Sequence, residues 1–197
     1  RGNPSKRDFA DLRALIAAAR AEPGRISYAS NGPGSVTHLT AEMMRSAAGG
    51  IELLHVPYRG SAPGLAALLA GEVRMMFDGA PTASAQIRQG ALKALAVTTP
   101  ARIAALPNVP TMAEAGLPGF EAGTWFGLFV PAATPEPALA RLRAETAAIT
   151  ADATFRTWLA QQAASPPSVT AEGIPAMLTA ERARWAAAVR VSGARVE

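Results

Sequence analysis

Residues 25–48 read Arg25-Ile-Ser-Tyr-Ala-Ser-Asn-Gly-Pro-Gly-Ser-Val-Thr-His-Leu-Thr-Ala-Glu-Met-Met-Arg-Ser-Ala-Ala48. Arg25 to Ser30 has the pattern of a short strand. Asn31 to Ser35 is a loop rich in chain breakers. Val36 to Ala48 is helical, with Leu39, Met43 and Ala47 in line, and Gly49-Gly50 closes it. A strand feeding a helix through a short loop is half of a crossover unit. The same grammar extends in both directions. Upstream, Asp8 to Ala21 places Phe9, Leu12, Leu15, Ile16 and Ala19 on one helical face, with Ser5 or Asp8 as cap and Pro23-Gly24 as stop. Downstream, Ile51–Val56, Val73–Phe77 and Leu92–Thr98 read as strands. Ala62–Ala70 and Pro81–Gln89 read as the helices between them. Strict alternation with short connections predicts an α/β chain with a parallel sheet and helices on both faces.

The grammar changes after Thr99. Ala101 to Pro110 is irregular, and Thr111 to Ala115 reads as one helical turn stopped by Gly116. Gly123 to Val130 is apolar and aromatic and is expected to be a buried strand or hinge segment. Helices follow over 137–150, with Pro135 and Pro137 in the first turn, then over 152–162 and 170–192. This half lacks the strands for a sheet of its own. The expected division is residues 1–123 as an α/β lobe and 124–197 as elements belonging to another lobe.

Composition narrows the chemistry. The 197 residues are 49% hydrophobic and 17% charged, which excludes wholesale disorder. The absence of cysteine removes thiolate metal sites, disulfide scaffolds and cysteine nucleophiles. The net charge of +4 comes from scattered arginines, not a basic cluster, so no nucleic-acid partner is expected. No run of 18 apolar residues occurs, so no membrane-inserted helix is expected.

The loop Ser30–His38 carries the clearest chemistry. A helix start presents unpaired N–H groups and the positive end of the dipole, which suit an anion. Gly32 and Gly34 allow close backbone approach, and Ser30, Ser35 and Thr37 supply hydroxyls. In an open parallel sheet ligands sit at this edge. An ordinary helix start capped by Ser35 or Asn31 fits the spacing equally well. A dinucleotide loop fits poorly, because Gly32-Pro33-Gly34 completes only half of the G-x-G-x-x-G pattern. His38 either orients the loop or fills space, and His55 reads as a satisfied core histidine. Asp78, at a strand end, reads as a helix cap or a ligand acceptor. Tyr58 and Arg59 follow the second strand on the same edge. No acid, base and nucleophile converge, which favours binding over catalysis, without metal or cofactor.

Several segments in order resemble a known family: Tyr28 to Leu39, His55-Val-Pro-Tyr-Arg-Gly-Ser-Ala-Pro63, Gly71-Glu-Val-Arg-Met-Met-Phe-Asp78, Leu95-Ala-Val-Thr98, Leu106 to Gly116, and Thr124-Trp-Phe-Gly127 followed by Pro131. Together they look like the substrate-binding proteins of tripartite tricarboxylate transporters, the Bug receptors. The resemblance implies a two-lobed periplasmic binding protein fold of type II, the Venus flytrap. It implies an exported, periplasmic receptor of a Gram-negative bacterium that captures a di- or tricarboxylate or an acidic amino acid. The captured ligand passes to membrane permease subunits. Ser30, Asn31, Gly32, Gly34, Ser35, Thr37, His38, Tyr58 and Asp78 are the implied ligand-binding residues. Members of the family carry most of their first lobe ahead of the segment matching Arg1, so a truncated N-terminus is expected here, and with it the absence of a signal peptide. A doubly wound NAD-type oxidoreductase and the ligand-sensing domain of a regulator are the alternatives.

Overall fold

A computed structural model describes residues 9–166 and 169–193. The proposed caps Ser5 and Asp8 lie outside them. Helix α1 (Leu12–Ala21) is instead capped by Asp11, whose carboxylate accepts from the Ala14 N–H at 2.8 Å. Three parallel strands follow, β1 (Ser27–Ser30), β2 (Leu54–Pro57) and β3 (Met75–Met76), in the order β2-β1-β3. Between them run α2 (Val36–Ala47) and α3 (Ser61–Ala70), and α4 (Ala80–Arg88) follows β3. The central strand pairs Tyr28 with His55 on one side and with Met75 on the other.

Alternation along β1 divides the core between two faces. Tyr28 joins Leu12, Leu15, Ile26, Ala41 and Met44 in the large cluster. Ala29 faces the opposite way, against Ala67 of α3 and Val73. Gly64 makes that second contact close, since a Cβ there would meet the Met76 side chain at 3.1 Å. On α2 the buried side chains are His38, Leu39, Thr40, Ala41, Glu42 and Met44. The buried stripe is therefore rotated from the expected one: Ala47 is exposed and Met43 half-buried.

Three expectations need correction. Leu92–Thr98 is not a strand; only Val97 forms a bridge, to Thr111. The run sets Ala94, Ala96 and Lys93 among its apolar residues, and alanine and lysine are poor strand formers. The strands expected over 51–56 and 73–77 are shorter, because only Leu54–Pro57 and Met75–Met76 complete ladder pairs. Gly123–Val130 is neither buried nor in a strand: Phe126 is 99% exposed, and Trp125, Leu128 and Phe129 are exposed with it. The segment is apolar, and nothing in the described residues covers it. Helices α5 (Glu136–Ala151) and α6 (Ala153–Gln161) likewise bury no residue. Helix α7 (Ile174–Ser192), preceded by a 3₁₀ turn at Ala171–Gly173, is attached: it packs along α2 and sets Trp185 against the main core. No helix among the described residues is long and apolar enough to cross a membrane.

Candidate functional site

The loop between β1 and α2 is held by side chains that come almost entirely from itself. Ser35 caps α2: its oxygen accepts from the His38 N–H at 3.3 Å and its hydroxyl donates to the Gly32 carbonyl at 2.7 Å. Thr37 Oγ1 accepts from the Asn31 N–H at 2.9 Å and sits 3.1 Å from Ser35 Oγ. Ser30 Oγ accepts from the Gly32 N–H at 3.1 Å, and His38 Nδ1 accepts from the Gly34 N–H at 3.1 Å. Gly32 and Gly34 take φ of +114° and +74°, conformations that strain other residues.

This network changes which groups face outward. The amides of Asn31, Gly32 and Gly34 are turned onto side chains, and the Ser30, Ser35 and Thr37 hydroxyls are engaged within the loop. The Val36 and Thr37 amides, the first two of α2, have no acceptor among the described residues. They are the donors free to meet an anion, backed by the helix dipole. The glycines shape the turn; the helix start supplies its open donors.

Beneath the loop lies a stack that sequence reasoning only half recognised. The His38 and His55 rings are 4.2 Å apart and 14° from parallel, and Tyr28 stacks on His55 at 4.9 Å. Tyr28, fully buried, donates its hydroxyl to Glu42 Oε1 at 2.7 Å. Glu42 is itself buried and is paired with Arg45 through Oε2 at 2.5 Å. Burial, then the Glu42 hydrogen bond and charge, push the Tyr28 phenol well above its ordinary range. Burial holds the His38 imidazole below its ordinary value, against the opposing charge of Glu42 and with a further lowering from Arg45. His55 is lowered by burial and by His38, against Glu42. His55 Nε2 lies 2.6 Å from Ser30 Oγ. That is the distance of a nucleophile and its base, yet Ser30 is fully buried and no electrophile can reach it. The pair serves the loop. His55 is thus a satisfied histidine, as expected, but one that supports the site edge. Glu42 and Tyr28 were missed; the available signal was the i, i+4 spacing of His38 and Glu42, which puts both on one helix face.

The remaining two candidates stand beside the loop. The Tyr58 N–H donates to the Ser30 carbonyl at 2.9 Å, while its ring packs on the Ala29, Ala67, Val73 cluster. Asp78 is not the cap of α4: Gly79 occupies that position without a side-chain bond, and Asp78 Oδ1 accepts from the Ser61 hydroxyl at the start of α3. The β1–β3 register, continued two residues, brings Asp78 level with Asn31. Their outer oxygens, Asp78 Oδ2 and Asn31 Oδ1, are both buried without a partner in the described structure. The site is an open edge. Two surface hollows, one lined by Arg20, Pro23 and Gly50 and the other by Ile87, Leu92 and Lys93, include none of the nine candidates.

The family model for the tripartite tricarboxylate transporter family receptor matches residues 4–193. The chain belongs to this receptor family. Protein BugT of Bordetella pertussis is 35% identical over 187 residues, covering 94% of this chain and 57% of BugT. A protein of the tcbD-tcbE intergenic region of Pseudomonas sp. strain P51 is 46% identical over 143 residues, 72% of this chain and 42% of that one. The chain thus spans about half the length of the curated relatives it matches. Among solved structures, R. palustris Rpa4515 with adipate superposes with a TM-score of 0.82 at 32% identity, covering 94% of this chain and 62% of that one. The periplasmic binding protein BugD gives 0.78 at 33%, covering 96% and 64%. MatC from Rhodopseudomonas palustris with bound malate gives 0.77 at 31%, covering 94% and 64%. The receptor fold is that of the periplasmic binding proteins, here a parallel sheet flanked by helices.

Proposed function

We propose that this chain is the carboxylate-gripping part of an extracytoplasmic, periplasmic solute receptor that delivers its ligand to the membrane permease subunits of a tripartite tricarboxylate transporter. The observation that carries the reading is the loop at 30–38. Side chains fix its shape, and the two amides left open lie at a helix start, a geometry suited to a carboxylate. Adipate and malate in two structural relatives agree with a dicarboxylate ligand. The occlusion of the Ser30–His55 pair supports binding without turnover. The description of BugD as a periplasmic binding protein supports the location.

The division near residue 123 belongs to the same proposal. The uncovered run Trp125–Val130 and the unburied faces of α5 and α6 suit packing against a further α/β lobe. Calorimetry of the full-length receptor against malate, adipate and other small carboxylates tests the reading. Saturable binding of at least one, without chemical change to it, is expected. Binding of none, with saturable binding of NAD instead, overturns it.

A further inference from the structure

We infer that His38 is a positioning residue whose neutral Nε2–H tautomer ties the Gly34 amide of the binding loop to α2, and that its protonation releases that amide. The geometry fixes the tautomer. The Gly34 N–H donates to Nδ1 at 3.1 Å, so Nδ1 carries a lone pair and the ring proton is on Nε2, on the side of Glu42 Oε1, 4.0 Å away. A doubly protonated ring has no acceptor at Nδ1. It would set an N–H against the Gly34 N–H and break the bond that pins this turn. The turn is also closed across Pro33 and Gly34 by the Ser35 N–H and hydroxyl, both donated to the Gly32 carbonyl at 3.2 and 2.7 Å, so it keeps its shape. Loss of the Gly34 tether therefore frees that one amide, two residues ahead of the open amide of Val36.

The surroundings decide when this happens. On α2 itself His38 faces Glu42, which favours the cation, and Arg45, which disfavours it. From β2 it meets the His55 ring at 4.2 Å and from β1 the Tyr28 ring at 6.4 Å. Helix α7, packed on α2, carries Glu181, Arg182, Arg184 and Arg190, of which Glu181 and Arg184 pair with each other at 2.8 Å. Helix α3 has no charged residue. Burial and Arg45 together outweigh the opposing charge of Glu42 and hold the imidazole below its ordinary value, on the neutral side at pH 7. The tether is therefore made at neutral pH and broken in acid.

The consequence for ligand binding rests on the carboxylate reading, but the loop itself can be observed without ligand. In ¹⁵N-resolved NMR of the 197-residue chain, the His38 Nε2–H tautomer and a protected Gly34 amide are expected at pH 7.5. On acidification, the Gly34 protection factor, its exchange rate set against the intrinsic rate at each pH, should fall roughly tenfold, the loss of one neutral hydrogen bond, with the same midpoint as the His38 ring. His38→Asn keeps an acceptor near the Nδ1 position without a titrating ring, and its Gly34 amide should stay protected across the range. The Nδ1–H tautomer at neutral pH, or a Gly34 amide indifferent to His38 protonation, would overturn the inference even if no variant folds. Where a receptor preparation binds malate, the affinity ratio of parent to His38→Asn should change as pH falls through the His38 midpoint. The ratio cancels the ligand's own titration, so an unchanged ratio counts against the switch and not against carboxylate binding.

Discussion

Replacing Tyr28 by phenylalanine removes one oxygen from the middle of the site's support. That hydroxyl is fully buried and donates to a buried carboxylate at 2.7 Å. A hydrogen bond to a charged acceptor contributes about 1.5–3 kcal/mol, and without it Glu42 Oε1 retains only His38 at 4.0 Å. The expected cost is about 2 kcal/mol, which for a chain of this size lowers Tm by about 4–8 °C. Urea unfolding followed by circular dichroism reads it as a lower midpoint at constant slope. The Glu42→Gln background sharpens the test. There the acceptor is neutral and Tyr28→Phe should cost only about 1 kcal/mol, leaving a coupling of about 1 kcal/mol between the two sites. A loss under about 0.5 kcal/mol in the parent, or equal losses in both backgrounds, refutes the reasoning that the phenol holds a charge in place.

Three further outcomes follow from the same structure. Ser35→Ala removes the cap of α2 and the tether to Gly32, and should cost about 1 kcal/mol in urea unfolding. Gly64→Val drives a branched side chain into Met76 and Ala29 across the α3–sheet contact; about 1–3 kcal/mol of destabilisation is expected by the same measurement. Finally, both imidazoles are held below their ordinary values in the folded chain, so the unfolded chain binds more protons just below neutrality. Stability should therefore be full above the ordinary imidazole value and fall as pH drops from 7.5 to 5.5 through it. A urea midpoint that stays level or rises over that range contradicts the environment assigned to the stack.

Much of this was readable from residues 25–48, because strand, breakers and helix start each leave local signals. Ser35 is a cap by chemistry, and Gly32 and Gly34 take the backbone angles that make glycine useful. What was not readable depends on pairing in space. Which loop amides are already occupied follows from where His38, Thr37 and Ser30 turn, and no spacing rule states that. Asp78 precedes a helix and so has the place of a cap or a ligand acceptor, yet it bonds Ser61, seventeen positions earlier, since both sit on the same sheet edge. The run over 92–98 looked like a strand by apolarity, but alanines offer little for a neighbour to pack on and no ladder formed. The aromatic segment 124–130 shows the reverse case: its apolar character was evident, and its exposure depends on what lies against it.

The central claim is that the open amides at the start of α2 meet a carboxylate. Titrating malate or adipate into the ¹⁵N-labelled chain and following its amides tests this most directly, since weak binding is still visible as fast-exchange shifts. The account predicts saturable displacement of the Val36 and Thr37 resonances, with smaller movement at Gly34 and no change on adding equal chloride. An unperturbed α2 start at saturating carboxylate, or shifts confined to other parts of the chain, would contradict it.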